Sequence, residues 1–243
     1  MSTNFPFKHL SEEVQFGYSS EASAHLNVEL FSSADRLKWE HRQTEHRKEE
    51  FLISRSALAA ALNPLPLSAV YYNGNQPKHE AGHISISHTK SGAIAAYSAT
   101  VEVGIDIEGV RPQISRIAQK FIRADEEKYL ASLGATHAQQ LLWGIKESLF
   151  KLFGSGNVDF KKHLHITSLS NEGSDHHWSG TAWIYATNEL RQQPIQCFVQ
   201  GHFDGNHYYC LATHRKAMIP FNTQNLQLRQ WRPNDAHWLF RLN

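Results

Sequence analysis

Between Val101 and Glu108 apolar and polar positions alternate without a break. Val101, Val103, Ile105 and Ile107 fall on one side, Glu102, Gly104, Asp106 and Glu108 on the other. A period of two predicts a strand. Alternate side chains share a face, so Asp106 and Glu108 stand side by side, their Cα atoms roughly 6.6 Å apart. Two carboxylates at that spacing repel unless a cation lies between them or one is protonated. Gly104, on the same face, leaves room beside them.

Further on, the period becomes that of a helix. At about 100° per residue, Leu141, Leu142, Ile145, Leu149, Leu152 and Phe153 gather into one apolar stripe. Glu147 falls opposite its middle, with Lys151 one turn on and Trp143 one turn back. Two readings meet this face: a solvated Glu–Lys pair contributing about 0.3–0.5 kcal/mol, or a pocket wall, for which Trp143 and Phe150 argue. Gly154 then ends the helix.

Elsewhere the first 30 residues show no clear period. Ser33 is the expected N-cap of a helix beginning near Ala34. A second helix over 46–62 ends before Pro64. Strands follow at 83–88 and 92–99, and with 101–108 a meander is the simplest connection. Helical segments near 114–133 and 137–153 precede runs at 163–169, 178–186, 195–203 and 207–214, read as antiparallel strands with turns at Asn188 and Asp204-Gly205-Asn206. Mixed, not strictly alternating, elements indicate an α+β fold. The tail from about residue 220, with Trp231, Trp238 and Phe240, is too aromatic for a disordered end and is expected to pack back on the domain.

Composition narrows the class. The chain of 243 residues suffices for one large domain or two small ones. Its 41% hydrophobic and 19% charged content is ordinary for a soluble enzyme. A net charge of +1 argues against nucleic acid or a membrane surface as partner. Only two cysteines occur, Cys197 and Cys210, read as packed thiols on neighbouring strands, and most of the 16 histidines read as surface side chains. There is no secretory signal and no apolar run near the roughly 20 residues of a membrane span. A reducing cytoplasm fits this pattern.

Two further segments suggest an anion. In helix 46–62, Arg47, Phe51, Arg55, Leu58 and Leu62 share a stripe, so an arginine interrupts the apolar face. Such an arginine needs a negative partner, either an Asp or Glu of the chain or a ligand. Ser87-His88-Thr89, where a strand enters a turn, offers hydroxyls, an imidazole and backbone N–H groups.

Taken together, Gly104-Ile105-Asp106-Ile107-Glu108 and Trp143-Gly144-Ile145-Lys146-Glu147-Ser148-Leu149-Phe150-Lys151 resemble the signature of the 4'-phosphopantetheinyl transferase superfamily. Ile84-Ser85-Ile86-Ser87-His88 is similar to that family's strand ending in serine-histidine. Asn73-Gly74-Asn75-Gln76-Pro77 is similar to its glycine-lysine-proline turn. The resemblance covers about residues 45 to 160. The chain length and Glu108 two after Asp106 resemble the monomeric surfactin-synthetase-activating group. Two departures stand out: Gly144 replaces the usual serine, cysteine or threonine, and the turn lysine is absent, with Gln76 in its neighbourhood and Lys78 just beyond Pro77.

The resemblance implies two similar α+β halves forming a pseudo-dimer, residues 1–103 and 104–243, with coenzyme A between them and the metal site in the second. It implies Mg²⁺ on Asp106, Glu108 and Glu147, since hard oxygen ligands without a Cys or His cluster favour magnesium over zinc. It implies catalytic roles for Asp106, Glu147 and Lys151, Glu147 serving as ligand or as general base. Arg47, Arg55, Ser87, His88 and Lys151 would hold coenzyme A, Arg55 matching the family's phosphate position better than Arg47. The implied reaction moves 4'-phosphopantetheine to a serine of an apo acyl or peptidyl carrier protein and releases adenosine 3',5'-bisphosphate. Arg111, Arg116, Lys120 and Arg123, with Ile117, Phe121 and Ile122, form either a carrier-docking surface or an ordinary amphipathic segment. A magnesium-dependent nuclease or phosphodiesterase would also use such carboxylates, though no basic, aromatic-interleaved stripe accompanies them. A non-catalytic coenzyme A- or carrier-binding protein is the other alternative.

Overall fold

The computed structural model describes residues 14–20, 26–154, 156–171, 176–188 and 191–214. The aromatic tail beyond residue 220 lies outside them. In chain order the described regular elements are strand β1 (Gln15–Ser19), helices α1 (Ser33–Glu40) and α2 (Glu45–Leu62), and strands β2 (Val70–Asn73), β3 (Gln76–His79), β4 (His83–Thr89), β5 (Gly92–Ser98) and β6 (Val103–Gly109). Short helices α3 (Ala118–Phe121) and α4 (Lys128–Leu133) lead into the long α5 (Ala135–Phe153). Then come α6 (Phe160–His163), β7 (Leu164–Asn171), β8 (His177–Ile184), β9 (Ile195–Phe203) and β10 (His207–Thr213). Among the described residues no helix is long and apolar enough to cross a membrane.

The fold is α+β, with three antiparallel sheets. One has the order β1-β5-β4, one β6-β10-β9-β8-β7, and β2-β3 is a separate hairpin. The larger two each carry one long helix, and in both a strand glycine sets the approach. A Cβ on Gly17 of β1 would stand 2.1 Å from the Ala57 carbonyl oxygen of α2, and one on Gly104 of β6 would stand 2.0 Å from the Ser148 oxygen of α5. Each helix rests directly on the backbone of its sheet. Helix α2 buries Ala57, Leu58, Ala61 and Leu62 against the smaller sheet, and the expected α5 stripe from Leu141 to Phe153 is buried against the larger. A third apolar cluster joins the sheets, where Val103, Ile105, Ile107 and Tyr209 meet Val14, Ile94 and Ala96.

Three sequence expectations need correcting. β6 does not extend a meander: it pairs with β10, while β4 and β5 pair with each other. β6 instead meets β4 through side chains, Ser85 Oγ accepting from the Ile105 N–H at 3.0 Å. Ser32, not Ser33, caps α1, its Oγ accepting from the Asp35 N–H at 3.1 Å. The helix expected over 114–133 is broken, because Ile122 is extended and the Glu126 carboxylate turns back to accept the Arg123 N–H at 3.0 Å.

That restart serves packing. Lys146, fully buried in α5, donates to Glu126 Oε2 at 2.8 Å, to the Phe121 carbonyl at 2.6 Å and to the Phe160 carbonyl at 3.2 Å. Glu126, also fully buried, accepts the Ile166 N–H at 2.9 Å. One ion pair thus ties the 117–126 segment, α6 and β7 to α5. Removing one partner of a buried pair strands the other charge and costs about 3–5 kcal/mol. Lys146→Met is therefore expected to lower unfolding stability by about that amount in urea titration; a loss under about 1 kcal/mol would contradict this role for the pair.

Candidate active site

The pleat of β6 sorts its side chains as the alternation predicts: Val103, Ile105 and Ile107 face the seam between the sheets, and Gly104, Asp106 and Glu108 face α5. Asp106 and Glu108 are 3% and 7% exposed. Burying two like charges side by side demands compensation. Asp106 Oδ1 accepts from Lys151 Nζ at 2.6 Å and from Ser87 Oγ at 2.8 Å. Glu108 Oε1 accepts from Trp143 Nε1 at 3.0 Å, and Arg111 Nη2 stands 2.6 Å from Oε2 as an ion pair without hydrogen-bond alignment. Trp143 is held by Phe121 and Phe160, ring centroids 5.1 and 5.4 Å away.

The compensation is incomplete. Asp106 Oδ2 and Glu108 Oε2 are buried without a hydrogen-bond partner. Glu147, one turn before Lys151, makes no hydrogen bond among the described residues. Burial first, then the charges of Asp106 and Glu108, push its carboxyl up to about 7. Glu108 is raised as well, by burial foremost and then by the Asp106 charge. Two raised carboxyls beside the Asp106 charge describe a place short of positive charge.

A hard divalent cation fits that donor set: oxygen only, with two buried oxygens lacking a hydrogen bond. As the side chains stand, no three His, Cys, Asp or Glu among the described residues form a metal-holding group. Lys151 and Arg111 supply the positive charge to Asp106 and Glu108.

The anion-binding candidates divide. His88 is exposed at the end of β4, with Glu50, Lys151, Arg42 and Arg47 as its charged neighbours. Burial by nearby protein, and then Lys151, Arg42 and Arg47, hold its imidazole below the usual value, with Glu50 opposing. Arg47 itself is exposed and paired with Glu50 at 3.1 Å. Ser87 is buried and spends its hydroxyl on Asp106. Arg55 lies elsewhere: 4% exposed, it donates through Nε and Nη2 to Asp35 at 2.8 and 2.7 Å, beside Tyr72. Of the two partners considered for Arg55, the structure supplies a carboxylate of the chain. Asp35 is twenty residues away in sequence, placed by the first turn of α1.

Two contributors went unread in the sequence. Arg42 lies over the Phe51 ring, 4.8 Å from its centroid, with Nε buried and without a hydrogen bond. Its position five residues before Arg47 was the available signal. Trp143 was read as a pocket wall, but its N–H on Glu108 needed the strand–helix register to be seen. The departure at Gly144 also has a physical reason. A Cβ there would stand 2.7 Å from Cys210 Sγ and 3.6 Å from Asp106 Oδ2. Cys210, a buried free thiol on β10, fills the space. Gly144→Ala is expected to cost about 1–3 kcal/mol by overpacking, and Cys210→Ala should recover most of it in the double variant. Additive losses in a thermal-unfolding cycle would contradict this steric link.

Residues 102–202 match the model of the 4'-phosphopantetheinyl transferase superfamily. One curated relative, the 4'-phosphopantetheinyl transferase psf-1 of Bacillus pumilus, is 31% identical over 121 residues, which are 49% of this chain and 46% of that protein. The chain thus spans about half the length of the curated relative it matches. The matched stretch, residues 102–202, holds Asp106, Glu108, Glu147 and Lys151.

Proposed function

We propose that the chain is a transferase moving the 4'-phosphopantetheine group of coenzyme A to a serine of an apo acyl or peptidyl carrier protein, as a monomer of the surfactin-synthetase-activating type. One observation carries this reading: a strand and a helix bring Asp106, Glu108, Glu147 and Lys151 together, leaving two buried carboxylate oxygens without a hydrogen bond. The family match over the same residues and the relative's printed name support it.

Asp106, Glu108 and Glu147 are the residues that would hold Mg²⁺. When bound, the ion supplies neutralisation of the pyrophosphate charge and polarises the phosphorus. Ser87 and Trp143 orient Asp106 and Glu108 by the bonds described above. Arg42, Arg47 and His88 face the phosphates of coenzyme A, and Lys151 stabilises charge developing on them. Arg55 supports α2 through Asp35 and stays out of this set. The carrier serine Oγ forms a bond to the β-phosphorus while the bond from that phosphorus to the bridging oxygen breaks, releasing adenosine 3',5'-bisphosphate. The serine proton passes to Glu147, directly or through water, if that residue serves as base. The two α+β halves divide near residue 103, with coenzyme A between them.

The test is mass spectrometry of an apo carrier incubated with the chain, coenzyme A and Mg²⁺, where transfer adds roughly 340 Da to the serine. Asp106→Asn is expected to keep its melting temperature and lose roughly 10²-fold or more in rate. Normal transfer by that folded variant would overturn the site.

The carrier docks beside the end of β6. Arg116 and Lys120 are exposed there, whereas Arg111 and Arg123 are occupied by Glu108 and Asp125. Phe121 and Ile122, expected as apolar contacts, are buried at 1% and 5% exposure and belong to the core. The double substitution Arg116→Glu with Lys120→Glu should raise KM for an acidic carrier several-fold at low salt, less at high salt, with kcat little changed. An unchanged KM would remove this surface from consideration.

A further inference from the structure

The β2–β3 hairpin separates two cavities. The smaller, about 430 Å³, lies beside Lys151 and Phe150 and includes Pro77; the larger is an open groove of about 1280 Å³ that includes Lys78. Gln76 lines both and donates from Nε2 to the Lys151 carbonyl at 2.9 Å. Lys78, the lysine just beyond Pro77, lines the larger groove and is not among the residues lining the cavity beside Lys151.

The larger groove combines charge with aromatic surface. Glu102 is already matched, accepting from Arg191 Nη2 at 2.6 Å and lying 3.7 Å from His214 Nδ1. Lys78 Nζ and the His83 ring line the same groove with no hydrogen bond or ion pair among the described residues. Burial, and after it the Arg191 charge, holds the Lys78 ammonium below its usual value, with Glu102 alone opposing. A half-buried ammonium facing a second cation, without an anion of its own, is completed by an anionic group. Trp183 of β8 and Phe198 of β9 also line the groove, giving aromatic surface for a ring. The volume exceeds the about 300–1,000 Å³ usual for small-ligand sites, so a substituted ligand fits.

We propose that this groove is a second ligand site, separate from the one at Lys151, for a phosphate or carboxylate joined to a planar ring. Lys78, Arg191 and His83 receive the anion, and Trp183 and Phe198 receive the ring. The site does not depend on the transferase reading.

Calorimetric titration of the full chain with phenyl phosphate, benzoate and inorganic phosphate tests it. Phenyl phosphate or benzoate should bind more tightly than inorganic phosphate, and the better of the two identifies the head group. Lys78→Gln should weaken that binding roughly tenfold, Trp183→Ala should erase the advantage of the ring, and Lys151→Gln should leave binding intact. Coenzyme A affinity should be unchanged in Lys78→Gln, and unaltered melting temperatures would show that the variants are folded. Binding lost in Lys151→Gln, whether or not Lys78→Gln also loses it, would assign the anion to the other cavity and overturn the proposal. Absence of binding by all three probes would overturn it equally.

Discussion

Two carboxylates buried on one face of β6, under a helix that touches the strand's backbone, govern the arrangement of this protein. Gly104 and Gly144 remove the Cβ atoms that would hold α5 away, and the contact excludes water from Asp106 and Glu108. Excluding water makes each charge costly unless it is answered. The chain answers with Lys151 and Ser87 on Asp106, and with Trp143 and Arg111 on Glu108. Asp106 Oδ2 and Glu108 Oε2 remain without a hydrogen bond, the latter meeting only the Arg111 charge, and Glu147 adds a carboxyl pushed up to about 7. The same packing that builds the core thereby creates an appetite for positive charge.

The supporting structure keeps that geometry rigid. Lys146 precedes Glu147 on α5 by one residue, so its side chain turns about 100° away, and with Glu126 it lies wholly within the core. It anchors Phe121 and Phe160, whose rings hold Trp143 against Glu108. Neighbouring residues of one helix thus divide the work: Lys146 fastens the scaffold, and Glu147 faces the charged site. On the other side of the site, Asp35 and Arg55 fix α1 to α2.

What could be read from the sequence follows from what is local. The period of two in β6 and of 3.6 in α5 are set by neighbours in the chain, so both elements and their facing side chains were legible. Pairing across long separations was not. That β6 leaves β5 for β10 depends on which edge the seam cluster covers, and that cluster forms only when Val14, Ile94 and Tyr209 are brought together. Arg55 had two possible partners until Asp35 was seen beside it. The broken 114–133 segment failed as a helix because Glu126 caps backward and reaches Lys146, a contact twenty residues long that periodicity does not record. Lys78 was ambiguous for the same reason: its cavity is defined by Arg191 and Trp183, far along the chain.

The central claim, that Asp106, Glu108 and Glu147 await a hard cation, is tested most directly by titrating the chain with Mn²⁺ under electron paramagnetic resonance, with Mg²⁺ as competitor. The account predicts one Mn²⁺ bound per chain, displaced by Mg²⁺ and lost in Glu108→Gln with the melting temperature retained. Equal Mn²⁺ binding by the wild type and a folded Glu108→Gln variant, or no binding by either, would contradict it.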